Sequence, residues 1–168
     1  MRLLPLIVPL LLIVGTPAAG QDSTAAKPSC EGPEFHQFDF WVGNWDVTAR
    51  GQHAGTNNVT REEQGCLIHD HWNGGETGQS MNYYDAADHA WHQVWVSSTG
   101  QILTFRGTFE HGSLTFLGTR PSQRGPGIVQ HRLTFTPNQD GSVRQLWEAS
   151  RDDGKTWRVI FDGLYRKG

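Results

Sequence analysis

The sequence predicts an all-β fold: an antiparallel up-and-down barrel of about 8 to 10 strands, preceded by a short N-terminal helical turn. Three observations predict it. From Trp45 onward, apolar and polar residues alternate with period two, the mark of half-buried strands. Clusters of Gly, Asn, Asp and Pro break that alternation at 52–55, 73–75, 85–90, 98–100, 111–112, 121–127, 138–141 and 152–154, so that eight breaks separate about nine strands. After residue 41 no segment keeps a helical period over eleven or more residues, which excludes a parallel sheet built from βαβ units. Short connections imply antiparallel neighbours, and closure removes both edges of the sheet with the least extra chain; a two-sheet sandwich is the alternative.

The elements follow in order. Arg2, the apolar run Leu3 to Val14 and the small-residue exit Thr16-Pro17-Ala18-Ala19-Gly20 read as a secretory signal peptide over 1–20, cleaved after Gly20. The apolar run is shorter than the ~20 residues that cross a bilayer, so no membrane insertion is expected after cleavage, and the product is secreted or periplasmic. Residues 21–34 are small, polar and Pro-containing, as in a flexible arm. Cys30 and Cys66 are the only cysteines, and an even count in an exported chain invites a disulfide. That bridge closes a loop of roughly 35 residues, a stabilisation on the order of 4 kcal/mol by chain entropy. A reactive thiol pair is the competing reading, but the Cys-x-x-Cys spacing is lacking. Phe35, Phe38, Phe40 and Trp41 crowd a stretch that ends at Gly43, long enough for one helical or 3₁₀ turn. Residues 35–168 then form a single domain. Its strands show in Trp45, Val47 and Ala49 against Asp46, Thr48 and Arg50, in Leu103, Phe105 and Phe109, in Leu114 and Phe116, and in Leu133 and Phe135.

Composition narrows the function classes. Of the 168 residues 36% are hydrophobic and 18% charged, and the net charge of −3 becomes −4 once Arg2 leaves with the signal. A basic nucleic-acid binder, an acidic disordered tail and a multi-span membrane protein are thereby excluded. Seven Trp and eight Phe supply the apolar area of a real core.

The run Phe38-Asp39-Phe40-Trp41-Val42-Gly43-Asn44-Trp45-Asp46-Val47, a helical turn followed by Gly-x-Trp at the first strand, resembles the opening motif of lipocalins and calycins. The resemblance implies that Trp45 plugs one end of the barrel and that a basic residue near the last strand, Arg166 or Arg158, covers it. Together with Gly65-Cys66-Leu67-Ile68, Gly78-Gln79-Ser80-Met81-Asn82-Tyr83-Tyr84-Asp85, Trp91-His92-Gln93-Val94-Trp95 and Arg144-Gln145-Leu146-Trp147-Glu148, the run is similar to a lipocalin-like family of bacterial secreted proteins of the DUF1579 type. That likeness spans nearly the whole mature chain and implies a fold without a settled activity.

Ser150-x-Asp152-x-Gly154-x-Thr156-Trp157 resembles the Asp-box of sialidase-type propellers. In a single copy it reads as a hairpin clamp, with Asp accepting backbone N–H bonds, Gly supplying positive φ and Trp packed beneath. His69 and His71 lie two apart on a strand and face one way, with Asp70 facing the other. They suit a metal only if His89 or His92 joins them, and the bland reading is an exposed polar face; no metal and no cofactor is expected. Ser80, Asn82 and Tyr84 share one strand face, as do Gln93 with Trp91 and Trp95, and Gln145 with Trp147. If these faces look inward, Asn82, Tyr84, Gln93, Trp95, Gln145 and Trp147 bind a small, partly apolar molecule in an aromatic-walled cavity. The alternative is a packed barrel in which the amides bond one another. Gly-x-Ser-x-Gly, phosphate-loop, dinucleotide and zinc-protease motifs are all absent from the sequence, and no carboxylates are paired by spacing. The expected function is a binding module without covalent chemistry. An enzyme of the same fold doing acid/base work, or a surface interaction protein, is the alternative; the sequence leaves the oligomeric state open.

Overall fold

The structure is a computed structural model that describes residues 30–123 and 125–168. The expected signal peptide and the part of the expected arm up to residue 29 lie outside the described residues. Two 3₁₀ turns, Pro33–His36 and Asp39–Trp41, lead into ten strands: β1 (Gly43–Ala49), β2 (Gln52–Glu62), β3 (Leu67–Gly74), β4 (Gly78–Asp85), β5 (Ala90–Ser97), β6 (Ile102–Glu110), β7 (Ser113–Pro121), β8 (Ile128–Pro137), β9 (Val143–Ser150) and β10 (Arg158–Lys167). All pairs are antiparallel between sequence neighbours, and β1 pairs with β10 to close the barrel. No helix among the described residues is long and apolar enough to cross a membrane.

The alternation that predicts strands also fixes their faces. On β6, Leu103, Phe105 and Gly107 point inward while Thr104, Arg106 and Thr108 are exposed. Ten strands rather than nine are present because one connection carries no Gly/Asn/Asp/Pro cluster: between β2 and β3 the chain turns through Glu63–Gly65, with Glu63, Gln64 and Gly65 all at positive φ. The 52–55 cluster is likewise not a turn. The turn is at Arg50 and Gly51, and residues 52–55 begin β2, whose pairing with β1 shifts register there.

One end of the barrel is filled. Phe38 and Trp41, delivered by the 3₁₀ turns, stack at 4.9 Å and pack on Phe135 at 5.0 and 4.6 Å. From β2, Arg61 straps these turns down, donating to the Phe35 carbonyl at 3.2 Å and to the Asp39 carboxylate. The Cys30–Cys66 disulfide ties the start of the described chain to the β2–β3 connection, so the arm is anchored from Cys30 onward. Among the described residues there is no free thiol.

Trp45 is buried beside this end, its Nε1 donating to the Trp41 carbonyl at 2.8 Å. The covering cation is Lys167, not Arg166 or Arg158: its Nζ lies 3.9 Å from the Trp45 ring centroid and donates to the Val42 carbonyl at 2.7 Å. Parity decides the choice, since Lys167 pairs directly with Trp45 across β1 and β10, whereas Arg166 pairs with the exposed Asp46. Gly43 completes the lock. It sits at φ +149°, and a Cβ there would lie 2.1 Å from the Lys167 ammonium, displacing it from the indole. Trp45→Ala is expected to cost about 3 to 5 kcal/mol in urea unfolding, as for other buried aromatics, and Lys167→Ala about 0.5 to 1 kcal/mol, the range of an exposed cation–π contact. A Trp45→Ala loss below ~1 kcal/mol would mean that Trp45 is not the plug.

Candidate functional site

The other half of the barrel is hollow. A cavity of about 330 Å³ rests on Trp41, Phe135 and Tyr165 and opens at the rim formed by Gly75, Glu76, Gln101 and Ile160. The rim therefore lies at the β3–β4, β5–β6 and β9–β10 turns, opposite the filled end. Trp72, Trp95, Trp147 and Phe161 wall the upper part. Two of these indoles lie against the sheet because glycine leaves them space: a Cβ on Gly78 would fall 2.4 Å from the Trp95 ring, and one on Gly74 2.5 Å from that of Trp72. A side chain at either position would push its indole into the lumen.

A chain of buried polar groups crosses the lumen wall over four adjacent strands. Gln93 Nε2 on β5 donates to Asn82 Oδ1 at 2.7 Å, and Asn82 Nδ2 on β4 donates to Ser80 Oγ at 2.9 Å and to the Ile68 carbonyl at 3.0 Å. Ser80 Oγ donates to Asp70 Oδ1, while Asn57 Nδ2 on β2 donates to Asp70 Oδ2 at 3.1 Å. On the facing side the Tyr165 hydroxyl donates to Gln145 Oε1. Burial pushes the Asp70 carboxyl up to about 6, against the lowering effect of its bonds from Ser80 and Asn57. The Tyr165 hydroxyl is raised well above its ordinary value, first by burial and then by the nearby Asp70 charge.

Four of the six residues expected to bind, Gln93, Trp95, Gln145 and Trp147, line this cavity together. Asn82 does not line it; it is fully buried behind Gln93 and serves as that amide's anchor. Tyr84 sits at the filled end, 5.2 Å from the Phe35 ring and 6.1 Å from that of Trp91. Asp70, on the opposite face of β3 from His69 and His71, faces the lumen. The signal was present in Ile68-x-Asp70-x-Trp72, whose flanking apolar residues mark the inward face. His69 and His71 lie outside, ring centroids 4.2 Å apart, with His69 near Glu62 and Gln79. His92 is two strands away, bonded to Asp88, which also takes Arg106, so the histidines do not converge.

Trp147 is positioned by His131: its Nε1 donates to His131 Nδ1 at 3.1 Å. Burial, helped by the Arg120 charge, holds His131 down at about 4, so it is neutral. The Asp-box forms the β9–β10 hairpin as its residues dictate. Ser150 Oγ accepts from the Gly154 amide at 2.9 Å, Asp152 accepts from the Thr156 amide at 2.9 Å and hydroxyl at 2.6 Å, and Arg132 lies 4.3 Å over the Trp157 ring. The bonds from Thr156 lead in holding Asp152 down at about 2.

A closed antiparallel barrel, plugged by Trp at one end and hollow at the other, is consistent with a calycin-like fold and compatible with a calycin-like binding module. No model of a known protein family matches the chain, and no curated protein matches it.

Asp70 and His131 act on stability with opposite signs. Asp70 is raised from 3.8 to about 6, so the folded state holds the extra proton and stability falls as pH rises through that window. His131 is lowered from 6.5 to about 4, so the unfolded state holds the extra proton and stability rises with pH over nearly the same window. Each shift of about two units is worth on the order of 3 kcal/mol, and the two largely offset. Urea unfolding between about pH 4 and 6.5 is expected to show stability rising with pH in Asp70→Asn and falling in His131→Gln, with the wild type between them. Equal slopes in the two variants would contradict these assignments.

Proposed function

We propose that the protein is a secreted or periplasmic module that binds a small, partly apolar molecule in the hollow half of its barrel. One observation carries the reading: the 330 Å³ cavity is walled by indoles yet holds a few convergent polar groups, the ordinary build of a small-molecule site. The disulfide suits an oxidising compartment. Within the cavity Gln93 Nε2 and Oε1 of Gln145 are engaged by neighbouring side chains. Gln93 Oε1 and Gln145 Nε2 are the amide atoms left to meet a guest.

Binding is favoured over acid/base catalysis by the state of the two titratable groups in the interior of the cavity, Asp70 and Tyr165. The Tyr165 hydroxyl already donates to Gln145, and its raised pKa keeps it protonated across the neutral range. Asp70 is thus left without a second group that exchanges a proton near neutrality.

The neutral fluorophore N-phenyl-1-naphthylamine is expected to saturate one site per chain, with energy transfer from the lining indoles. Trp147→Ala is expected to weaken it about tenfold, or ~1.4 kcal/mol, by removing a wall. Gln145→Ala is expected to lower affinity more than stability, because its amide faces the lumen. Gln93→Ala is expected to lower both, since it strands the buried Asn82 oxygen. Native mass spectrometry of the purified protein reports any molecule that co-purifies. Non-saturable probe binding that is indifferent to Trp147→Ala, with no co-purifying mass, would overturn the reading.

A further inference from the structure

We propose that the molecule held in the cup carries a protonated amine, seated against the Asp70 carboxylate and beneath the faces of Trp72 and Trp95. The inference rests on the reading of the barrel as a binding cup and specifies the chemistry of its guest.

The charge inventory of the cavity points that way. Asp70 in the interior and Glu76 at the rim are its two carboxylates, and no Lys, Arg or His is among the residues that line it. Asp70 is buried at 3% exposure, and its bonding partners are the neutral Ser80 and Asn57. A carboxylate removed from water is costly unless a cation accompanies it, and none of the described lining residues supplies one. Two basic groups touch lining residues from outside the cavity, and each is already bonded: Arg120 donates to Gln101 Oε1 at 3.0 Å, and neutral His131 accepts from Trp147.

Register places the aromatic faces where a cation would use them. Asp70 pairs with Ser80 and Ser80 with Trp95, so carboxylate, hydroxyl and indole form one row across β3, β4 and β5. Trp72 is the next inward residue of β3 toward the rim. An ammonium entering past Glu76 therefore meets two π faces on its way to a carboxylate, and cation–π attraction strengthens where water is excluded. An anionic guest would meet the same two carboxylates as repulsion. The groups around Asp70 are Asn57 on β2, Ser80 and Asn82 on β4, Tyr165 on β10 and, on the outer face of its own strand, His69. Tyr165 remains protonated, and Glu76 at the rim is held below the ordinary carboxylate value by its bonds from Ser97 and Thr99, which leaves Asp70 as the lining group whose proton changes in this range.

Calorimetric titration with three probes of one size tests the inference: phenethylammonium, neutral 2-phenylethanol and anionic 3-phenylpropanoate. At about pH 7.5 the wild type is expected to bind phenethylammonium at least about tenfold tighter than 2-phenylethanol, and 3-phenylpropanoate most weakly. Asp70→Asn is expected to abolish the preference, bringing the affinities for phenethylammonium and 2-phenylethanol to within about twofold of each other. As pH falls to about 5 the wild-type preference shrinks, because Asp70 takes up a proton while the amine keeps its own. The wild-type pH series decides alone if Asp70→Asn does not fold. Equal affinity for amine and alcohol, or a preference for 3-phenylpropanoate, overturns the amine inference and leaves the cup in place. Failure of all three probes to bind at millimolar concentration overturns both.

Discussion

The pairing of β1 with β10 is the constraint on which the rest of the structure depends. It turns a ten-stranded ribbon, whose first and last members would each present unpaired N–H and C=O groups, into a ring without an edge. Closure at ten strands also sets the lumen: barrel diameter grows with strand number, and at about eight strands side chains just fill the interior. The same pairing brings Lys167 over Trp45 and so locks the filled end, with Gly43 leaving the ammonium its place. One register thus fixes the ring, the plug and the size of what is left over.

The interior divides accordingly. Toward the filled end lie Phe38, Trp41, Leu114, Phe116 and Phe135, fully or almost fully buried, where apolar burial and dispersion dominate. Toward the open end the inward positions change character: Gln93, Gln145, Ser80 and Asp70 appear among large aromatics, and small glycines let those aromatics lie flat. Apolar side chains in place of Asp70, Ser80 and Gln93 would fill such a space without the desolvation that buried polar groups incur. A polar network is tolerated where its members are linked, and from Gln93 through Asn82 and Ser80 to Asp70 each link is present, although Asn57 Oδ1 beyond Asp70 is buried without a hydrogen-bond partner among the described residues.

Much of this was legible in the sequence because strand periodicity is a local signal. Period two gave the inward faces of β6, β8 and β9 directly, and the Asp-box residues announced the β9–β10 hairpin by chemistry that acts within eight residues. Cys30 and Cys66 paired as an even count suggested. Two of the misses depend on where a residue stands in the assembled barrel, and the third on local backbone conformation. Arg166 and Arg158 are the cations expected over Trp45, and the β1–β10 register puts Lys167 on that face instead. Tyr84 shares a face with Asn82, yet its height along β4 carries it to the filled end, which alternation alone does not report. The Glu63–Gly65 turn escaped because its non-glycine residues adopt positive φ, a conformation that those residue types do not advertise.

Asp70 is the most instructive of these positions. Its neighbours His69 and His71 made the segment look like a solvated strand face, and for those two residues it is one. The inward face of the same strand reads Ile68, Asp70, Trp72, a charged residue set between two apolar ones where local rules call for another apolar side chain. Such a departure weakens the apo fold near neutrality, because the folded chain must either ionise a buried carboxyl or hold a proton that the unfolded chain releases. Residues that break the pattern of their own strand at a stability cost gather where a protein does something besides fold. Here the departure lies beneath the open rim, among indoles and beside unsatisfied amide capacity, and not in the filled half where a misplaced charge would have no exit to solvent or guest. Among the inward polar residues Asp70, Ser80, Gln93 and Gln145, Asp70 is the one with a carboxylate, and it is the side chain that a core would choose least.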